Sequence, residues 1–280
     1  MSKKIYRYVL RVGIVFASVI LLLLILLQTG MVIAHCWEPY SPDYEKTDIR
    51  SILKKSKLSD EEYETLYRQT GLTRVGVDGL LRKKDAETIL SIQNDFFAGY
   101  ETESEVFGPF VCWEKYPASV AIHMAEIEDG DILISPSTHF SCFRFGHAAL
   151  VVDGKRQLLL NAVGYENLTS VEPISLFNTR SAFLILRPKT SEEIRKKVAA
   201  YARENLTGLN YSLTTGIFGK KYDENIKRTH CSHLIWYAYA HFGIDLDSNG
   251  GAIVLPRDIA NSSELELVQA YGFDLDELWR

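Results

Sequence analysis

The sequence predicts an α+β fold, in which a small antiparallel sheet or barrel packs against helices behind an apolar N-terminal helix and a helical section. Three observations carry that expectation. Hydrophobic periodicity changes from helical to strand-like after Glu128-Asp129-Gly130. The strands come in one run and helices follow them, without the alternation that a parallel sheet requires. An apolar stretch from Val12 to Ala34 opens the chain. With 280 residues, 46% of them hydrophobic, the chain suits one ordinary domain plus extra elements.

Lys3, Lys4, Arg7 and Arg11 precede the apolar run, which reaches Leu27, breaks at Gln28-Thr29-Gly30 and resumes from Met31 to Ala34. At about 1.5 Å per residue it is long enough to cross a bilayer. This predicts a cytoplasmic N-terminus over 1–11 and a single-pass anchor in the cell membrane over 12–34, with everything beyond it extracytoplasmic. A cleaved signal peptide is the competing reading, since Val32-Ile33-Ala34 resembles a small-residue cleavage site; the product would then be secreted. The run is long for a signal peptide, which favours the anchor. Lipidation of Cys36 is a third reading, opposed by His35, which stands where such a motif has a small residue.

No acidic residue precedes Glu38. Setting the four N-terminal cations aside leaves 27 of the 31 basic residues against 36 acidic ones, a formal charge of −9. A domain this acidic is a poor electrostatic binder of nucleic acid or anionic headgroups, and no nucleic-acid partner is expected. Four cysteines are too few for a disulfide scaffold, and one bridge between Cys112 and Cys142 is left open.

Residues 35–125 read as a stalk, to about Asp48, followed by a helical section. Trp37, Pro39, Tyr40 and Pro42 suit an interfacial stalk. Ser59-Asp60-Glu61-Glu62 is a capping box for a helix that Gly71 stops after Thr70. Asp85 caps a second helix with Ile89, Leu90, Ile92, Phe96 and Phe97 on its apolar face. Gly71 to Leu81 between them reads as a turn-rich connector. Beyond, residues 126–280 hold strands over Asp131–Ile134, His147–Val152, Gln157–Val163 and Ala182–Leu186. Ser191 then caps a helix with Ile194, Val198, Tyr201 and Ala202 on one face, and an apolar helix runs from Cys231 to Gly243.

Cys231 and His147 are the candidate chemistry. A thiol in the first turn of a helix feels the positive end of the dipole and unpaired N–H groups, which favours its thiolate. An imidazole nearby would complete a nucleophile usable near neutral pH. Asn161, a lone amide in an apolar run, is the candidate to hold that imidazole. A strict two-residue turn at Asp153-Gly154 would face it away from His147. A three-residue loop, with Gly154 left-handed and a bulge, pairs the two, and that bulged form is expected.

Gly130-Asp131-Ile132-Leu133-Ile134, Gly146-His147-Ala148-Ala149, Leu160-Asn161-Ala162-Val163-Gly164 and His230-Cys231-Ser232-His233-Leu234-Ile235 resemble the permuted papain-like amidases of the NlpC/P60 superfamily, YaeF/YiiX type. Ile244-Asp245-Leu246 and Leu255-Pro256-Arg257-Asp258-Ile259 resemble that family's C-terminal pattern. The order is specific: His, then the third polar residue, then Cys. The resemblance implies a permuted papain-like fold for 126–280, with Cys231 as nucleophile, His147 as base and Asn161 as orienting group. Asn161 stands where relatives often carry an acidic residue, and His233 where a Glu commonly follows the Cys-Ser pair. The implied activity is that of an extracytoplasmic cysteine amidase or peptidase, a thiol hydrolase acting by acyl transfer. Its partners would be a peptide, cell-wall or acyl-amide substrate, with no cofactor and no metal.

Three rivals stand beside it. His139, Cys142, His147, Cys231 and His233 would be the ligands of a zinc site, though paired metal motifs are missing. A non-catalytic cell-envelope binding module would leave Cys231 merely buried. A lipid acyltransferase or acyl hydrolase would use the same nucleophile, with Tyr165, Phe177, Phe183, Tyr211, Trp236 and Phe242 lining an acyl groove.

Overall fold

The computed structural model describes residues 3–35, 37–106, 110–164 and 167–279, and is a mixed α+β protein behind an N-terminal apolar helix. That helix, α1 (Lys3–His35), includes a stretch, Arg7–Ala34, long and apolar enough to cross a membrane. Cys36, and with it the lipid-attachment reading, lies outside the described residues. The stretch expected as a stalk runs along the domain instead. The N–H of Tyr40 donates to Gly272 O (3.1 Å), the hydroxyl of Tyr44 to Arg68 O (2.5 Å), and the N–H of Thr47 to Gln69 Oε1 (2.8 Å). Ile49 is fully buried.

A short α2 (Arg50–Leu53) leads to α3 (Asp60–Thr70), which starts at the Ser59–Glu62 capping box and stops at left-handed Gly71, as expected. The presumed connector is a helix, α4 (Arg74–Arg82). Gly76 and Gly79 lower its propensity, so the sequence reads as turn; packing overrides this. Val77 and Leu80 are buried, and a Cβ on Gly76 would lie 2.6 Å from the carbonyl of Val268. Next, α5 (Ala86–Phe96) is capped by Asp85, whose carboxylate accepts from Thr88 N at 3.1 Å.

The strands follow in chain order. They are β1 (Glu103–Val106), β2 (Val111–Lys115), β3 (Ile132–Ser135), β4 (Thr138–Phe140), β5 (His147–Asp153), β6 (Leu158–Asn161), β7 (Ser170–Pro173) and β8 (Phe183–Pro188). After α6 (Glu192–Asn205) come the two-residue β9 (Asn210–Tyr211) and β10 (Arg228–Thr229), then α7 (Cys231–Ala240), α8 (Pro256–Ala260) and β11 (Leu265–Tyr271). Six strands form an antiparallel sheet in the order β11-β8-β3-β5-β6-β7, and β1-β2-β4 form a second antiparallel sheet. Strand β3 is buried along its whole length, which explains why Ile132-Leu133-Ile134 shows no polar alternation. Helices α6 and α7 pack together on β5.

The helical section closes the β11 edge. Ala270 N donates to Gly71 O (2.9 Å) and Thr73 N to Val268 O (3.0 Å), so the strand's outer polar groups are used rather than left as a pairing hazard. One hydrophobic core runs from Ile49 and Leu66 through the sheet to Tyr239. Asp131 anchors the first strand of the sheet from below: its carboxylate accepts from Arg187 Nε (2.9 Å) and Nη2 (2.7 Å).

The β5–β6 hairpin is bulged, but not where the sequence suggested. The register pairs Leu150 with Leu160 and Val151 with Leu159, and shifts before Asp153 pairs with Leu158. The left-handed residue is Gln157 (φ 55), not Gly154. Four residues, 154–157, make the turn, so His147 and Asn161 share a face as diagonal neighbours rather than a directly opposed pair. Cys112 is buried and Cys142 exposed, and no disulfide joins them.

Candidate active site

Cys231 is the first residue of α7. His230 caps that helix in an extended conformation (φ −128, ψ 174), its Nδ1 accepting from His233 N at 3.4 Å. His147 is the first residue of β5. It follows Gly146 at φ 75, where a side chain would be strained and a Cβ would lie 2.7 Å from Ser135 O. Asn161 ends β6. The three therefore come from a helix start, a strand start and a strand end.

His147 Nε2 lies 2.7 Å from Asn161 Oδ1, while Asn161 Nδ2 donates to Glu172 Oε2 (2.8 Å) and Ser170 Oγ donates to Glu172 Oε1 (2.7 Å). The carboxylate accepts only, which fixes the amide with its NH2 toward Glu172 and its oxygen toward the ring. The ring must then carry its proton on Nε2, leaving Nδ1 as a base. The sulfur of Cys231 accepts from the backbone N–H of Ala148, the residue after His147. That contact sets the sulfur against the backbone of the residue next to His147. Among the described residues no hydrogen bond joins thiol and imidazole, an arrangement common before substrate binds.

Burial pushes the His147 imidazole down to about 3; the Arg180 charge adds to this and the Asn161 bond opposes it. Burial also raises the Cys231 thiol, against the Ala148 and Ser232 hydrogen bonds and the Arg180 charge, which lower it. The expectation of a thiolate favoured by the helix start is corrected: at rest, desolvation outweighs the dipole, and both groups are neutral near pH 7.

Two residues that sequence reasoning missed complete the site. Glu172 sits on β7, in a polar stretch whose alternation is too short to read as a strand. Arg180 is buried with no carboxylate partner among the described residues, and its Nε has no hydrogen-bond acceptor. Its Nη1 donates to Thr138 Oγ1 (3.2 Å), and its guanidinium stacks 4.6 Å from the Trp113 ring centre and 5.0 Å from that of Phe177. No motif surrounds it, because its role arises from a loop folding back over the sheet.

Asn161, Glu172, Phe177, Arg180, Trp113 and Leu168 line a cleft of about 830 Å³. Neither Cys231 nor His147 lines it, and each is 7% exposed. Of the groove proposed for an acyl chain, Phe177 reaches the cleft. Phe183 is core, Trp236 donates to Asp245 Oδ1 (2.7 Å), and Tyr165 lies outside the described residues. The five residues of the zinc reading do not assemble: His233 bonds Thr229 Oγ1 (2.9 Å) and Lys221 O (2.8 Å), His139 contacts Cys112, and Cys142 faces solvent. Among the described residues no three His, Cys, Asp or Glu side chains converge as a metal site.

Fold and site together define an α+β protein with an apolar N-terminal helix and a buried cysteine beside a histidine–asparagine–glutamate chain. No family model matches the sequence, and no solved structure matches it. The chain is similar, at 33% identity over 118 residues, to the Uncharacterized protein YycO of Bacillus subtilis (strain 168); the match spans 40% of this chain and 39% of that protein.

Proposed function

We propose that this protein is a membrane-anchored, extracytoplasmic cysteine hydrolase of the permuted papain-like type, cleaving an amide bond in a peptide or cell-wall stem peptide. The hydrogen-bond chain from Glu172 through Asn161 to His147, ending beside the Cys231 sulfur, carries this reading. The chain order His147, Asn161, Cys231 and the short motifs around them support the permuted assignment.

His147 Nδ1 takes the thiol proton as Sγ bonds to the carbonyl carbon, so charge appears only as the reaction begins. The oxyanion meets the unpaired Cys231 N–H at the start of α7 and the positive field of Arg180. The imidazolium gives its proton to the leaving amine, whose bond to carbon breaks and leaves a thioester. Water, deprotonated by His147, then releases the acid and restores the thiol.

A lipid acyl group is the second substrate class. Leu159, Val163, Leu168, Leu176 and Phe177 make one wall of the cleft apolar, and α1 would hold it at a bilayer. An activity-based thiol probe tests the chemistry common to both. Labelling should vanish in Cys231→Ala, fall by about 10²–10⁴-fold in His147→Ala and fall partially in Asn161→Ala. Equal labelling of wild type and His147→Ala would sink the reading. Peptidoglycan fragments against a lipid extract then separate the substrate classes.

A further inference from the structure

The loop that follows β4 lies against α1, inside the stretch read as a membrane span. Ser141 Oγ donates to Leu27 O at 2.8 Å, and a side chain on Gly30 would collide with Ser141. Two turns further along α1, Arg144 Nη2 donates to Ala34 O (2.8 Å) while its guanidinium covers the Trp37 ring at 4.1 Å. Gly30, Met31 and Ala34 are buried on this face of an otherwise exposed helix.

Depth along α1 follows from the helical rise. Leu27 is fifteen residues past Val12, where the apolar run begins, so it lies about 22 Å into a hydrocarbon layer of about 30 Å. Ala34, seven residues on, falls at about 33 Å, the far boundary. The loop therefore places Ser141 below that boundary and Arg144 on it, beside an aromatic ring suited to headgroup depth. Around Ser141 the large side chains are apolar and outward-facing: Phe140 is 41% exposed and Phe143 59%, and Val106, at the end of β1 on the far edge of the same sheet, is 61% exposed.

We propose that the tip of the β1-β2-β4 sheet is a second membrane element, inserted among lipid acyl chains beside α1. This rests on α1 being an anchor, but adds that the domain is seated on the bilayer rather than tethered near it. Trp113 pairs with Thr138, two residues from Phe140, and lines the cleft, so the cleft opens about 7 Å along the strand from the inserted tip. A substrate presented at the bilayer surface reaches it without full release into water.

Cys142 stands exposed at this tip and takes a spin label in the full chain, in a Cys36→Ser, Cys231→Ala background. Labels at Ile20→Cys and Lys196→Cys, with Cys142→Ser added, report the middle of α1 and a solvent face. In phosphatidylcholine and phosphatidylglycerol vesicles, the labels at 142 and 20 should both collide severalfold less often with a water-soluble nickel chelate than the label at 196. A label at 142 as accessible as that at 196, with 20 still protected, overturns the inserted tip and leaves the anchor standing. Accessibility at both 142 and 20 overturns the anchor and the tip together. Phe140→Ser with Phe143→Ser should raise nickel collisions at 142 severalfold and leave 20 unchanged; no change at 142 counts against insertion.

Discussion

Asn161 holds the imidazole because both ends of its amide are committed. Glu172 takes the NH2, so the oxygen faces His147. Removing the carboxylate in Glu172→Ala lets that amide turn toward water and frees the imidazole from its fixed orientation, a loss of about 1.4 kcal/mol in transition-state stabilisation. We expect a roughly tenfold fall in kcat/KM or in probe labelling rate with an unchanged thermal midpoint, since Glu172 is only half-buried. Unaltered kinetics would remove it from the site. The pH profile tests Arg180. His147, at about 3, stays a base through mild acid, so the acid limb of kcat/KM should lie below pH 5. The Arg180 charge lowers both His147 and Cys231, so Arg180→Gln should move both limbs to higher pH. A stationary profile would show that the guanidinium acts elsewhere.

Close approach, more than propensity, decides the elements. Replacing Gly76 with Ala in an exposed helix gains about 1 kcal/mol. Here the added carbon meets the Val268 carbonyl at 2.6 Å, and backbone on both sides cannot give way cheaply. Gly76→Ala should therefore destabilise, by about 1–3 kcal/mol in urea unfolding, and a gain would show that α4 docks loosely. Asp131 joins the first central strand to β8 through a bidentate Arg187 contact. Asp131→Ala takes two of the bonds from a buried guanidinium and leaves it Glu128 Oε1 (2.9 Å) and Glu126 O (3.3 Å), with an expected loss of about 1–3 kcal/mol and a matching fall in thermal midpoint.

Across the whole molecule, three buried imidazoles couple folding to pH. Burial holds His147 and His230 at about 3 and His233 at about 4, against 6.5 in an unfolded chain. The folded state thus refuses protons that the unfolded state accepts. Stability is complete above pH 6.5 and is lost as pH falls from there toward 3. The thermal midpoint should drop between pH 7.5 and 4.5, with the slope reduced in His233→Gln; a slope unchanged by that substitution would place the sensitivity in other groups. The shared core makes a second demand. A fragment spanning 126–280 exposes the β11 edge and the surface that Leu66, Leu72 and Val77 cover, so it should aggregate or fail to unfold cooperatively.

The sequence alone determined what local chemistry dictates. Caps at Ser59, Asp85 and Ser191, the stop at Gly71, the strand starting at His147 and the helix starting at Cys231 all follow from hydrogen bonds or periodicity within a few residues. It also singled out His147 and Asn161, which the fold joins at 2.7 Å. Tertiary structure alone decided the rest, since those features depend on partners far away in the chain. Strand β11 and helix α4 specify each other across the sheet edge, the bulge sits where the β5–β6 register requires it, and Arg180 reaches the site only because its loop folds over Trp113 and Phe177. The neutral resting state of the thiol has the same origin: a dipole is local, but desolvation belongs to the packed molecule.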